Sequence, residues 1–594
     1  MGGIRPGALM WHRGSSVRNV AQRGGTGSFS FDLVPDDGAE HRSDDDVERD
    51  PDLDPDRDPP EPVPAPPTFA GRTLTRLRRL PRRHVLIGSA VAVALVAVGG
   101  AGVYMAKSAR EQQRVDLVVA APGGVRSLAD EPAELWSVET DAGVLAILTD
   151  GVVATRSGTE ILGIDAATGG ERWRLDLGGQ SQCGPTPWSP AERVRASSRL
   201  VCLSGPDEAR RVTVVDSAGA VVARRELPPI EMSERAPSDG SGIRQETPSH
   251  FAMPAADGGL LVVERTGPRP AVRTFTTQDE ADRAMEEGLE RGQGATVRME
   301  DAATGTVRWE HRLPFVPVGN LSGCATVNTG GGVIAMEAGY THVVSQPSHV
   351  AVSGCGVNAA FTPDGRSTGD VPPDAPWLMT EVTPYVDGGL VVWSRSMNHV
   401  LLDDVGRRVL ELPGLLLNPL ATDGTGGETL LVAAGSELVA MNRSGRELWN
   451  RDLMASEVSH ALVRADGVVV IADGRGGVRA VELTTGNTRW SVDPGELLPV
   501  DDPWSGSRFA ATDGRSALIA VSNAERTGTR LVAVDLRSGR VVWEAQRDGE
   551  SVELMTVRGV LVENVATGTG TTEVAPDGTT ALSTPGTITG RGRK

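Results

Sequence analysis

Lysine is almost missing from this chain. Of its 59 basic residues only Lys107 and Lys594 are lysine, and both lie outside the body of the sequence. Chemistry that depends on a phosphate-loop lysine, a kinase strand lysine or a Schiff-base lysine therefore has no residue to use. Cysteine is also scarce: Cys183, Cys202, Cys324 and Cys355 are the only four, with no CxxC among them. The nine histidines form no HExxH and no close pair, so a zinc site is not expected. Positive charge is in deficit. The formal net charge is −19 over 594 residues, which disfavours phosphate-backbone binding, and no nucleic-acid partner is expected. Aromatics are only 4%, but eleven of them are Trp; with 72 Gly and 39 Pro the balance points to a turn-rich β protein.

Residues 1–84 hold little that could build a core. Between Asp36 and Glu61 there are thirteen acidic and three basic residues, and Pro recurs from Pro51 to Pro67. Dense charge with few apolar groups cannot offset chain entropy, so this stretch reads as a disordered tail. Asp50, Asp52, Asp54 and Glu61 imitate a calcium-loop spacing, yet Pro55 stands where that loop needs a glycine. Val85 to Ala106 then runs without a charge. At 1.5 Å per residue it spans about 33 Å, enough for one transmembrane helix. Six arginines (Arg72, Arg76, Arg78, Arg79, Arg82 and Arg83) precede it, against Lys107, Arg110 and Arg114 after it. That bias places the N-terminus inside and the C-terminal part outside the cell membrane. The Arg cluster serves as a topology signal or as a contact for anionic lipid. An even number of cysteines, all beyond the apolar run, fits disulfides in an oxidising exterior. Three pairings are possible; the sequential one, Cys183–Cys202 with Cys324–Cys355, keeps each bridge within a single repeat.

The repeat is the most informative feature. Asp165–Trp173 (DAATGGERW), Asp301–Trp309 (DAATGTVRW), Glu482–Trp490 (ELTTGNTRW) and Asp535–Trp543 (DLRSGRVVW) align without gaps. Each places Gly four residues after the acid (Gly169, Gly305, Gly486, Gly539) and Trp four after that. A shorter version runs from Asn442 through Gly445 to Trp449, and weaker copies without Trp start at Asp216, Asp364 and Asp403. Alternating strands precede each turn, so the unit is a hairpin whose acid caps the turn and whose Gly takes the positive-φ position. With two further apolar runs upstream, each unit is four short strands, the blade of a β-propeller. Trp136 opens an early return strand with no hairpin of its own, and pairing the first strand into the last blade would close the ring. The hairpins tally to eight, and the closing blade brings the naive count to nine; because a degenerate copy is easily overcounted, eight blades are the expectation within a range of seven to nine. The domain plan is 1–84 tail, 85–106 transmembrane helix, 107–129 linker, 130–583 propeller and 584–594 flexible C-terminal tail.

This alternating strand, acid, turn Gly and Trp, as in LVAVDLRSGRVVW, resembles the pyrroloquinoline-quinone-type β-propeller repeat over about residues 130–580. The resemblance implies an all-β propeller of four-stranded blades in which the Trp residues pack blade on blade. It does not choose a function. The superfamily includes quinone-dependent dehydrogenases, whose cofactor site carries a disulfide of adjacent cysteines and a calcium held by carboxylate and amide side chains. This chain has no adjacent cysteine pair, and no such ligand set can be matched. No catalytic residue, cofactor or metal is therefore expected. Other motifs read as turns: Gly365-Arg-Ser367-Thr-Gly369 fits GxSxG, but Asp370-Val-Pro-Pro after it cannot begin the helix a nucleophile elbow needs. Gly330–Gly332 and Gly568–Gly570 lie between strands. One insertion, Gln278 to Arg291, sets Ala281, Met285 and Leu289 on one helical face, with Glu287 and Arg291 spaced to pair. Pro228–Pro248 is a polar loop. The expectation is a non-catalytic binding or scaffold module for a protein or cell-envelope ligand, with a quinoprotein dehydrogenase and an external sensor for a cytoplasmic partner as alternatives.

Overall fold

The computed structural model of the chain describes residues 105–593, short internal segments apart, the longest being 230–249, 369–381 and 498–508. The acidic tail, the Arg cluster, the Asp50–Glu61 spacing and all but the last two residues of the apolar run lie outside the described residues, as does most of the Pro228–Pro248 loop. Among the described residues no helix is long and apolar enough to cross a membrane.

Nine sheets follow one another along the chain and form a β-propeller; all are antiparallel, save that the short strand Ala421–Thr422 joins the seventh in parallel beside Val458–Ala465. Blade 1 comprises Val144–Leu148, Val152–Ser157, Glu160–Asp165 and Glu171–Asp176. Blades 2 to 8 continue in the same order, their first strands beginning at Ser181, His250, Thr341, Val382, Leu415, Val458 and Phe509. In blade 4 three strands are described, Thr341–Ser345, Val350–Gly354 and Val357–Phe361. Blade 9 takes Ser551–Val557, Val560–Ala566 and Gly586–Gly592 from the end of the chain and Ala133–Thr140 from its beginning. The first strand thus closes the ring, from Ala133 opposite Gly592 to Thr140 opposite Gly586.

Burial follows position in the blade. The inner strands are covered on both faces by neighbouring blades: all six residues of Val468–Asp473 and all four of Phe509–Thr512 are buried. Strands of this kind read as continuous apolar runs. The outermost strands, such as Val541–Asp548 and Val307–Leu313, alternate between exposed and half-buried. The alternation marks a sheet edge with one wet face.

Three expectations need correction. The ring has nine blades, not eight. The weak copies at Asp216 and Asp403 each belong to a full blade whose packing position is filled by a residue other than Trp. Within the segment 584–594, expected as a flexible C-terminal tail, Gly586–Gly592 is a strand and an inner partner of both Ala133–Thr140 and Val560–Ala566. Thr587, Ile588 and Thr589 are too short a run to stand out beside their glycine-rich flanks. The linker 107–129 is largely helical: residues 105–120 form a helix, here α1.

Cys183 and Cys202 stand opposite each other on adjacent strands and are joined by a disulfide. Cys355 is also disulfide-bonded, and Cys324, the remaining cysteine, lies outside the described residues.

Candidate functional site

Antiparallel order gives the ring two distinct ends. Turns joining first to second and third to fourth strands share one end, called here the turn end. Turns joining second to third strands, and the connections between blades, share the other, called the insertion end.

The repeat residues sit at the turn end. Asp165 Oδ1 accepts from the Ala167 and Thr168 amides at 3.1 and 3.0 Å, and Gly169 closes the turn at φ 70°. Asp301 and Asp535 cap their turns in the same way. The Arg172 guanidinium holds the Asp165 carboxyl below the usual carboxylate range, and Arg308 does the same to Asp301. Each repeat Trp except Trp543 reaches the next blade. Trp173 Nε1 donates to Ser217 O at 3.1 Å, Trp449 to Leu483 O at 2.8 Å and Trp490 to Leu536 O at 2.9 Å. Trp309 donates to Pro363 O, beside the Gly365 turn that carries the GxSxG pattern. Trp136 donates to Ala166 O and so joins blade 9 to blade 1. The rings lie flat over the turn glycines: a Cβ on Gly539 would stand 2.7 Å from the Trp490 ring.

Sequence reasoning missed the substitutes for Trp. In blade 2 Arg225 donates to Ala302 O at 3.1 Å and pairs with Glu300 at 2.6 Å, beside the Gly305 turn. In blade 5 Leu410 covers Gly445. Blade 9 has no turn to offer Trp543, because its third and fourth strands come from opposite ends of the chain. Trp543 Nε1 donates instead to Leu128 O at 2.8 Å. The segment Ala121–Leu128, which follows α1, therefore stands in for the missing turn.

This strap is fastened at several points of the turn end. Thr422 N donates to Pro122 O, Thr512 N to Gly123 O, Val125 N to Thr512 O and Arg126 N to Gly559 O. Leu128 N donates to Asp513 Oδ2 at 2.8 Å. α1 adds Arg114, bonded to Asp513 O, and Glu111, which pairs with Arg515 at 2.8 Å. Clefts of about 530 and 150 Å³ flank Arg126, the larger lined by Asp116, Arg126, Asp150 and Arg558.

Nearby, Arg464 on the first strand of blade 7 reaches across blade 6 to Asp387 of blade 5. Arg464 is 2% exposed at its side chain. It grips Asp387 with both terminal nitrogens and donates to Thr425 O at 3.0 Å. Burial raises the Tyr385 phenol beside this pair, and the Asp387 carboxylate adds to that effect.

The insertion end carries the additions. Between the second and third strands of blade 3 lie strand Arg273–Phe275 and helix α2, Gln278–Met285. The strand pairs with Val333–Ala338, which in turn pairs with Ala325–Gly330, from the connection into blade 4. Thr277 caps α2 by accepting from Glu280 N. Ala281 and Ala284 are buried, and Met285 and Leu289 pack with Leu321, Met336 and Cys355. The helix stops at Met285, so Glu287 and Arg291 share no helical face; Glu287 pairs with Arg273 at 2.7 Å. A second insertion, the hairpin Thr571–Val574 with Thr580–Ser583, projects from blade 9 at this same end.

Among the described residues no three His, Cys, Asp or Glu side chains gather as metal ligands would. His349 and His399 are buried and lowered to about 4 by desolvation. Both act structurally: Ser348 Oγ lies 2.9 Å from His349 Nδ1, and His399 Nδ1 accepts from Leu416 N at 2.9 Å.

Residues 378–579 match the family model described as outer membrane protein assembly factor BamB. No curated protein matches the chain. Among solved structures, BamB from Moraxella catarrhalis is 13% identical, with 78% of this chain and 100% of that one covered at a TM-score of 0.33. Quinohemoprotein alcohol dehydrogenase from Comamonas testosteroni is also 13% identical, covering 78% and 76% at 0.32. The computationally designed Ika8 protein is 12% identical, covering 76% and 99% at 0.27. Likenesses at this level carry no argument about function.

Proposed function

The chain is a nine-bladed propeller of the pyrroloquinoline-quinone-type repeat, and from that premise we propose that it acts as a membrane-anchored, non-catalytic binding scaffold in the cell envelope. Val85–Ala106 is the single membrane-spanning helix in this reading. Residues 1–84 form the cytoplasmic tail, and the propeller stands outside. The asymmetry between the two ends supports the reading. The turn end is made of tight hairpins, and α1 and the strap occupy part of it. The insertion end carries α2, its three-stranded sheet and the blade 9 hairpin, none of which the ring needs for closure. Additions of this kind on a rigid ring are where binding specificity is placed. The partner is a protein or another envelope component that meets the insertion end.

Site-specific photo-crosslinking in cells tests this. A photoreactive residue at Arg283, exposed on α2, is expected to trap a discrete adduct, whereas one at Leu448, exposed on an outer strand of blade 6, traps none. Identical patterns at both positions would reject the insertion end as the binding face.

A further inference from the structure

Arg265 lies at the insertion end, next to last in the strand Gly259–Thr266 of blade 3. It is 7% exposed. Its Nη2 donates to Cys355 O at 3.0 Å. Its Nε and Nη1 are buried and have no hydrogen-bond partner among the described residues. Among the described residues no carboxylate pairs with it. The contrast with Arg464 is direct, because that buried guanidinium is gripped by the Asp387 carboxylate and also donates to Thr425 O and the Thr422 hydroxyl. Burial with nothing to balance it lowers Arg265 to about 10.

A desolvated cation with open donors costs several kcal/mol, and native proteins fill such positions with a counter-charge, an ion or water. The surroundings are held in place. Cys355 is disulfide-bonded, which fixes the carbonyl that orients the guanidinium. Val316 N donates to Gly356 O at 2.8 Å and ties the segment after blade 3 to the turn of blade 4. Ala295 faces Arg265 across the ladder and offers no polar group. The planar guanidinium fork matches an oxyanion better than any other small ligand.

We propose that Arg265 binds one small oxyanion, a carboxylate or an inorganic tetrahedral ion, between blades 3 and 4 at the insertion end. The bound ion would lock the Cys355 turn against the strand that leads into α2, and would so stiffen the base of the inserted module.

Thermal unfolding and calorimetric titration of the full-length chain at constant ionic strength test this, with acetate, sulfate, phosphate and chloride as separate probes. The expected result is saturable binding of one oxyanion per chain, with a rise in Tm of roughly a few degrees at saturation. Response to acetate alone assigns a carboxylate; response to sulfate or phosphate assigns a tetrahedral ion. The variant Arg265→Met, which removes the buried charge, is expected to fold in oxyanion-free buffer and to lose the response. Absence of saturable oxyanion binding by the wild-type chain overturns the proposal, whatever the variant does. A response to chloride equal to that of the oxyanions, or an unchanged response in Arg265→Met, also overturns it.

Discussion

Among the ring's buried residues are ionisable groups, and each has a measurable signature. Removing one partner of a buried ion pair leaves the other charge uncompensated, which costs about 3–5 kcal/mol. Asp387→Ala is therefore expected to destabilise the chain by about that much, and adding Arg464→Met should restore most of the loss. Equilibrium denaturation of the single and double variants measures both. The histidines set a pH limit. His349 and His399 are lowered to about 4 in the fold, against about 6.5 when unfolded. The unfolded chain therefore binds more protons between these values, and stability falls as pH drops from 6.5 toward 4. His349→Phe should flatten that part of a Tm-against-pH curve; an unchanged slope would show that His349 does not titrate there. None of these groups was legible in the sequence. Asp387 and Arg464 are 77 residues apart, and nothing local marks either as buried.

At the scale of elements, the repeat hairpin was legible because its cause is local. An acid, a Gly at positive φ and a Trp recur at fixed spacing, and the turn chemistry follows from those residue types. The Trp–glycine contact makes a sharp prediction. Gly539 has φ 71° and no room for a Cβ beneath Trp490, so Gly539→Ala should destabilise by about 2 kcal/mol or more in equilibrium denaturation. A loss under about 0.5 kcal/mol would show that the ring shifts freely. The substitutes Arg225 and Leu410 were not legible, because a blade needs only some side chain that covers the next turn. α1 was also missed. Its short, highly charged sequence looks like a linker, and its helix is held by contacts with Asp513 and Arg515 some 400 residues away.

The nine-blade ring depends on both chain ends. Counting Trp residues alone undercounts it; the closing pair of the last blade was legible, because Trp136 opens a return strand with no hairpin of its own, and the count fell to eight only because a degenerate copy without Trp was discounted. The strap completes that blade by giving Trp543 the carbonyl of Leu128 in place of a turn. A chain shortened to begin at residue 129 should therefore lose several degrees of Tm relative to one beginning at residue 105. Equal midpoints would reduce the strap to a passive tether.

The function proposed for the whole molecule is binding without a quinone cofactor. The most direct test is calorimetric titration of the full-length chain with pyrroloquinoline quinone in the presence of calcium. A scaffold predicts no heat beyond dilution from folded protein, and stoichiometric, calcium-dependent quinone binding would contradict it.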